Sequence, residues 1–200
     1  IDLVQAKLDA TLNVSLAGDL MPKEVGVKAG VAIGKAQGMY ADLAGLTAAL
    51  NGDLTPTELK ELALNFSQGD NALGTIHARG PLVLEKREGK VKLEISAIDR
   101  KVLNFAGAKS GLDFGNTRID SANEISLGQN GRVISATGRL TAQQFTVTQN
   151  KTTTIPLDLT VNYDVSVDKD AQSALLQALT LAGTQQARPV LRAALTQPMG

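Results

Sequence analysis

Residues that could act as catalytic groups are few and scattered in this 200-residue chain. Its single histidine, His77, alternates with Leu73, Thr75 and Arg79, which is the pattern of an ordinary strand. A histidine on its own supplies neither a nucleophile pair nor a set of metal ligands. His77 and the Asp and Glu residues of the chain form no cluster with metal-ligand spacing, so we expect no metal site.

The other motifs that could carry chemistry are incomplete. Asp113, Asp120 and Glu124 lie close in sequence, but their polar neighbours indicate a solvated surface rather than a pair of catalytic carboxylates. Residues 107–111, Gly-Ala-Lys-Ser-Gly, lack the full spacing of a phosphate-binding loop, and there is no Gly-x-Ser-x-Gly nucleophile turn. Cysteine is absent, which excludes disulfides, thiolate metal sites and cysteine nucleophiles. We therefore expect no enzymatic activity and no cofactor.

The most regular pattern in the chain lies in residues 155–168, IPLDLTVNYDVSVD. Apolar side chains occupy every second position from Ile155 to Val167, and polar or turn-forming residues lie between them. Strict alternation predicts a strand with one apolar and one wet face. At about 3.3 Å per residue this strand would be roughly 45 Å long, whereas an ordinary strand has about 5–6 residues.

Similar alternating segments indicate further strands along most of the chain. We predict them at residues 1–17, 25–33, 46–50, 72–84, 91–97, 125–127, 133–140, 145–148 and 190–195. Turn signals separate several of them, at residues 51–53, 85–90 and 129–131. Residues 54–66 fit either a helix or a strand, and we favour a strand for 60–67. Residues 170–182 also fit both, with Asp170 as a possible helix cap.

These segments predict a mainly β chain in which long antiparallel strands form a meander, with at most one or two short helices. Short turns force neighbouring strands to be antiparallel, and a wide sheet with one apolar face must close, pair with a second sheet, or curl around something else. We expect one β-rich domain over residues 1–200. Because the chain begins at Ile1 in the middle of an alternating pattern, we expect it to be part of a longer protein.

The composition narrows the choice of ligand. The 20 basic and 20 acidic residues cancel, so no net field attracts nucleic acid. The chain has no Trp, two Tyr and four Phe, so its apolar surface is mostly aliphatic and offers few rings for stacking. An aliphatic β core and a surface suited to alkyl chains both explain this composition. No run approaches the ~18 consecutive apolar residues of a membrane-spanning helix.

Several runs in the C-terminal half are similar to a known family. They are residues 93–104 (LEISAIDRKVLN), 111–115 (GLDFG), 131–138 (GRVISATG), 157–168, 179–185 (LTLAGTQ) and 195–199 (LTQPM). Together they resemble the AsmA-like envelope proteins of Gram-negative bacteria, which are related in architecture to TamB and the bridge-like lipid-transfer proteins. The shared features are patterns of strands and turns rather than catalytic motifs.

The resemblance implies a sheet curled into an open apolar groove, which we expect to be the C-terminal part of a longer periplasmic body that the full-length protein anchors in the inner membrane. It implies a lipid-transport module that holds phospholipid acyl chains and contributes to outer-membrane lipid homeostasis. Both membranes would be reached through parts outside this segment. We expect weak headgroup selectivity, because no basic cluster is evident in the sequence. The alternative is a structural β-sandwich or protein-interaction module with a closed apolar core.

If the groove exists, we expect the alternating aliphatic and aromatic side chains of four segments to line it. These residues are Leu62, Leu64, Phe66, Leu93, Ile95, Phe145, Val147, Leu157, Leu159, Val161, Tyr163 and Val165.

Overall fold

A computed structural model describes residues 4–200, without the side chains of Val4, Met39 and Lys109. Strands account for 69% of the chain and helices for 8%, so the protein is mainly β as predicted. The strands are β1 Val4–Leu16, β2 Pro22–Ala36, β3 Leu46–Leu54, β4 Glu58–Gln68, β5 Asn71–Val83, β6 Glu88–Ile98, β7 Arg118–Gly128, β8 Val133–Phe145, β9 Thr148–Gln149, β10 Thr152–Thr153, β11 Leu157–Asp168, β12 Ser173–Gln185 and β13 Arg188–Ala194. The helix α1 spans Arg100–Gly107, and 3-10 turns occupy Gly38–Leu43 and Ala108–Ser110.

Eleven of these strands form one antiparallel meander sheet, in the order β1-β2-β3-β4-β5-β6-β7-β8-β11-β12-β13. The short strands β9 and β10 form a separate two-stranded hairpin, and Thr148 of β9 also makes an isolated antiparallel bridge with Asp113. The strands β1 and β13 lie at the two edges and do not pair with each other, so the sheet is an open groove rather than a closed barrel.

The alternation seen in the sequence keeps one apolar face across the whole sheet. Side chains that are directly paired across antiparallel strands lie on the same face. Starting from Val161, the pairing passes through one residue in each strand: Ala10, Ala29, Leu50, Leu64, Ile76, Ile95, Ser121, Leu140, Val161, Leu181 and Ala193. We call the face that carries this row the apolar face, and the opposite one the wet face.

The apolar face is largely uncovered. The accessible surface of the chain is 12930 Å². A compact monomer of 20.9 kDa would expose about 9,000 Å². The excess of roughly 4,000 Å² is what a single-layer sheet produces, because no second layer packs over most of its two faces.

One end of the strands is covered by helical segments, and we call this edge of the sheet the helix rim. The first 3-10 turn and α1 fold over the apolar face there. Leu43, at the end of the 3-10 turn, is 2% exposed and packs with Ile33, Leu46 and Leu73, while Val102 of α1 packs against this cluster. Buried apolar contacts therefore concentrate at this rim.

The opposite ends of the strands meet only at short connections, and we call this edge the turn rim. It is formed by residues 17–21, 55–57, 84–87, 129–132 and 169–172. Because consecutive turns of a meander alternate between the two edges, every second connection lies at this rim. The helical segments and the β9–β10 hairpin all lie at the other one.

The predicted turn at residues 51–53 is wrong. Asn51, Gly52 and Asp53 continue β3 in register with β4, and the chain turns at residues 55–57 instead. A Cβ at Gly52 would lie 3.1 Å from Cδ1 of Leu62, so the glycine leaves room for a neighbouring leucine rather than for a turn. Thr55 closes the true turn with a hydroxyl that donates to the carbonyl oxygen of Glu58 at 3.2 Å.

The two ambiguous segments are both strands. Residues 58–68 form β4, which confirms the preference for a strand there, and residues 173–185 form β12, so the helical interpretation of 170–182 is wrong. The helix that does exist, α1, lies where the sequence analysis predicted none. Its N-cap is Asp99, whose carboxylate accepts a hydrogen bond from the backbone N–H of Lys101 at 2.9 Å.

Candidate functional site

The open apolar face is the candidate site, and strand pairing puts eleven of the twelve predicted lining residues on it. Leu62, Leu64 and Phe66 lie on β4, Leu93 and Ile95 on β6, Phe145 at the end of β8, and Leu157, Leu159, Val161, Tyr163 and Val165 on β11. All of these side chains remain half-buried except that of Leu62, which is 37% exposed. A bulge in β8 restores the alternation, because Phe145 pairs with Leu157 and therefore points to the same face.

Val147 is the exception among the predicted lining residues. The sequence suggested one strand over 145–148, whereas β8 ends at Phe145 and Thr148 begins the separate β9–β10 hairpin. The backbone N–H of Val147 donates to Oγ1 of Thr154 at 2.9 Å, and the Val147 carbonyl accepts from the Thr154 N–H at 3.0 Å. Val147 therefore belongs to the hairpin and not to the apolar face of the main sheet.

The apolar face extends well beyond the predicted residues. The strand β1 carries Leu8, Leu12 and Val14 on it, with exposures of 71%, 65% and 49%. Leu181 of β12 pairs with Val161 and continues the face toward β13. The same alternation marks these positions in the sequence, so the signal for including them was present.

A small polar network interrupts the apolar face near its middle. The hydroxyl of Tyr163 donates to Oδ1 of Asn123 at 2.5 Å, and Oγ of Ser121 donates to the same oxygen at 3.0 Å. The amide nitrogen of Asn123 donates to the carbonyl oxygen of Leu93 at 3.3 Å. Tyr163 reaches Asn123 across β8 at Gly138, where a Cβ would lie 2.2 Å from the Asn123 oxygen. The network joins three strands and satisfies its own polar atoms.

The turn rim gathers charges that are distant in sequence. Arg87, Arg132 and Lys169 come from three different turns and line one shallow depression of about 600 Å³, together with Asp170. We call these three basic residues the cationic cluster. The sequence shows no basic cluster, because the three residues lie in separate turns, so this grouping is a finding of the tertiary structure.

The carboxyl groups whose pKa is shifted, and the ion pair that shifts one of them, lie away from the apolar face. On the wet face Nζ of Lys60 donates to Oε1 of Glu24 at 2.5 Å, and this contact lowers the pKa of Glu24 and raises that of Lys60. At the helix rim the pKa of Asp113 is lowered, first by the backbone N–H of Gly115 at 2.9 Å and then by Nδ2 of Asn104 at 3.0 Å.

The residues first considered for chemistry do not converge. His77 lies on the wet face, with Nδ1 3.9 Å from Oε1 of Glu61. Asp120 and Glu124 also lie on the wet face, where Oδ1 of Asp120 accepts the backbone N–H of Ala97 at 2.8 Å. Within residues 4–200 no group of three His, Asp or Glu side chains is arranged to hold a metal ion.

None of the helices in the described part of the chain combines the length and apolar character needed to cross a membrane. Comparison of the sequence with protein-family models and with curated proteins, and of the structure with solved structures, finds no match.

Proposed function

We propose that this protein is a lipid-binding module that holds phospholipid acyl chains against the apolar face of its sheet, as part of a periplasmic path for lipid between the two envelope membranes. The observation that carries the proposal is the uncovered apolar face, which runs through all eleven strands of the main sheet. The resemblance to the AsmA-like proteins supports the same function.

The energetics of the face favour an alkyl ligand. Each methylene removed from water stabilises the complex by about 0.8 kcal/mol, so a lipid tail gains by lying on aliphatic side chains. The face consists largely of Leu, Val, Ile and Ala, and consecutive strands present similar side chains. A tail could therefore shift from one strand to the next without leaving a deep energy minimum.

A protein-interaction module is the second candidate, and the edge strands favour it. The strand β1 is 13 residues long, and the described side chains along it are exposed. The strand β13 is exposed throughout its length at the other edge. Unpaired strand edges bind further strands through backbone hydrogen bonds, so another protein segment could extend the sheet and cover its apolar face.

The two candidates are separated by what the protein carries when it is purified. We would express it in bacteria, isolate it without detergent, and combine native mass spectrometry with extraction and identification of bound lipid. Phospholipid at near-stoichiometric amounts is the expected result. A folded, lipid-free protein would overturn the proposal, and a lipid-free dimer would favour strand pairing between copies.

A further inference from the structure

The cationic cluster is held in place by contacts between the three turns that supply it. The backbone N–H of Asn130 donates to Oε1 of Glu88 at 3.1 Å, which joins the second turn to β6. The N–H of Lys169 donates to the carbonyl oxygen of Arg132 at 3.1 Å, which joins the second turn to the third. A Cβ at Gly131 would lie 3.1 Å from Cβ of Arg87, so the first turn packs closely on the second. The turn backbones that carry the three cations are therefore held side by side before any ligand binds.

The cluster keeps free donor capacity. Among the residues that line the depression, three cations face one carboxylate, that of Asp170. Nε of Arg132 lies 3.7 Å from Oδ2 of Asp168, and its guanidinium also donates to Oε1 of Gln129. A guanidinium has five N–H donors, so these contacts orient Arg132 and leave donors for a ligand. Within the described residues, Arg87 and Lys169 form no ion pair.

The nearby carboxylate of Asp168 is already engaged by the backbone. Its Oδ1 accepts the N–H groups of Asp170 at 3.0 Å and Ala171 at 3.1 Å. A carboxylate that caps a turn in this way is fixed, and it neutralises only part of the cluster. The depression therefore favours an anion with several oxygens, because such an anion can accept hydrogen bonds from more than one turn.

The cluster also adjoins the apolar face. Val167, which is 40% exposed on that face, lies two residues before Lys169, and Ile134 on the same face lies two residues after Arg132. At about 3.3 Å per residue, each pair is separated by roughly 7 Å along the strand. The basic side chains and the aliphatic side chains of the apolar face are thus no farther apart than the length of a lipid headgroup.

We propose that the turn rim binds the phosphate of a phosphate-bearing diacyl lipid through Arg87, Arg132 and Lys169, while the acyl chains lie on the apolar face. The lipid part of this inference rests on the proposed function. Arginine suits the phosphate because its planar fork can donate two hydrogen bonds to one phosphate group. The site gives the groove a defined headgroup position and a preference for anionic lipids, whereas the sequence alone suggested weak selectivity.

The test compares three probes on the whole chain by calorimetric titration: dioctanoyl phosphatidic acid, dioctanoylglycerol and inorganic phosphate. The variant is Arg87→Gln combined with Lys169→Gln, since neither side chain forms an ion pair within residues 4–200. The control is Lys23→Gln combined with Lys28→Gln. It removes the same charge from exposed positions of β2, which lies next to the edge strand β1 and far from the cationic cluster along the sheet. Circular dichroism and thermal melting verify that each variant folds.

We expect the Arg87→Gln/Lys169→Gln variant to bind phosphatidic acid about tenfold more weakly, with binding of dioctanoylglycerol unchanged and the control variant indistinguishable from the parent. Unchanged binding of phosphatidic acid would overturn the proposal, and so would an equal loss for dioctanoylglycerol.

Inorganic phosphate bound as tightly as phosphatidic acid would assign the cluster to a free anion and overturn its role in lipid binding. If the parent protein does not bind dioctanoylglycerol, the proposed function of the groove is overturned together with the headgroup site. If the variant binds phosphatidic acid as tightly as the parent does, and the parent also binds dioctanoylglycerol, then only the headgroup site is wrong and the groove function stands.

Discussion

A matched pair of substitutions tests whether the apolar face binds lipid. Leu62 lies on the apolar face and is 37% exposed, whereas Leu175 pairs with Ser166 on the wet face and is 39% exposed. Replacing either one by glutamate changes the same side chain at nearly the same exposure, within a strand in both cases. The two variants should therefore lose similar amounts of folding stability, and only Leu62→Glu should impair lipid binding.

The expected loss of affinity follows from the exposed part of Leu62. Full burial of a leucine side chain is worth about 1.5–3 kcal/mol, so covering the remaining third with an acyl chain contributes about 1 kcal/mol. A carboxylate pressed against that chain also loses water without gaining a partner, which costs at least about 1 kcal/mol more. The total of about 2 kcal/mol corresponds to binding that is on the order of 30-fold weaker.

The assay is titration of each purified variant with dioctanoylglycerol, together with quantification of the lipid that co-purifies. Urea unfolding of both variants measures whether the stability losses match. If Leu62→Glu and Leu175→Glu reduce lipid binding equally, or neither does, the apolar face is not the lipid site and the proposed function is refuted.

Further predictions concern the packing and the pH dependence of the fold. Leu43→Ala, at a side chain that is 2% exposed, should lower the free energy of unfolding by about 2–3 kcal/mol in urea titrations, and a loss of a few tenths would show that the helix rim is not packed as described. Gly80→Ala should clearly lower the melting temperature, because φ of Gly80 is +149° and a Cβ there would lie 2.2 Å from the carbonyl oxygen of Lys90. The control Gly18→Ala should have little effect, because a Cβ at Gly18 would have no atom within 4 Å. Equal changes in melting temperature would contradict this account of β5. The lowered pKa of Asp113 means that its stabilising contribution is present above its unfolded pKa of about 3.9 and is lost as the pH falls through the lower folded value. Asp113→Asn should therefore flatten the decline of stability below about pH 4, and an unchanged decline would argue against the capping contacts.

Local pattern was sufficient to predict the class of fold and the membership of the apolar face. Alternating side chains of one strand share a face, and that face must join the same face of the next strand once short turns make the strands antiparallel. This explains why eleven of the twelve predicted lining residues lie on one face, and why only Val147, just past the end of β8, does not. The same reasoning settles residues 58–68, where flanking strands favour β4 over a helix.

The sequence-based predictions of secondary structure were wrong at a turn and missing at a helix. Asn51-Gly52 has the sequence of a turn, but Gly52 continues β3 because its missing side chain accommodates Leu62 on the adjacent strand. The sequence did not predict α1, which follows β6 directly: its N-cap, Asp99, comes straight after the last strand residue, Ile98, with no separate turn to mark the change.

The sequence by itself determined the alternating strands and the aliphatic surface, because each depends on residue type and spacing within a few positions. Only the tertiary structure decided that the apolar face stays open and that Arg87, Arg132 and Lys169 share one depression. Those properties depend on strand order and on which connections share an edge. Strand order makes neighbours of residues that are far apart in the chain, and a local sequence pattern does not reveal which distant residues these are.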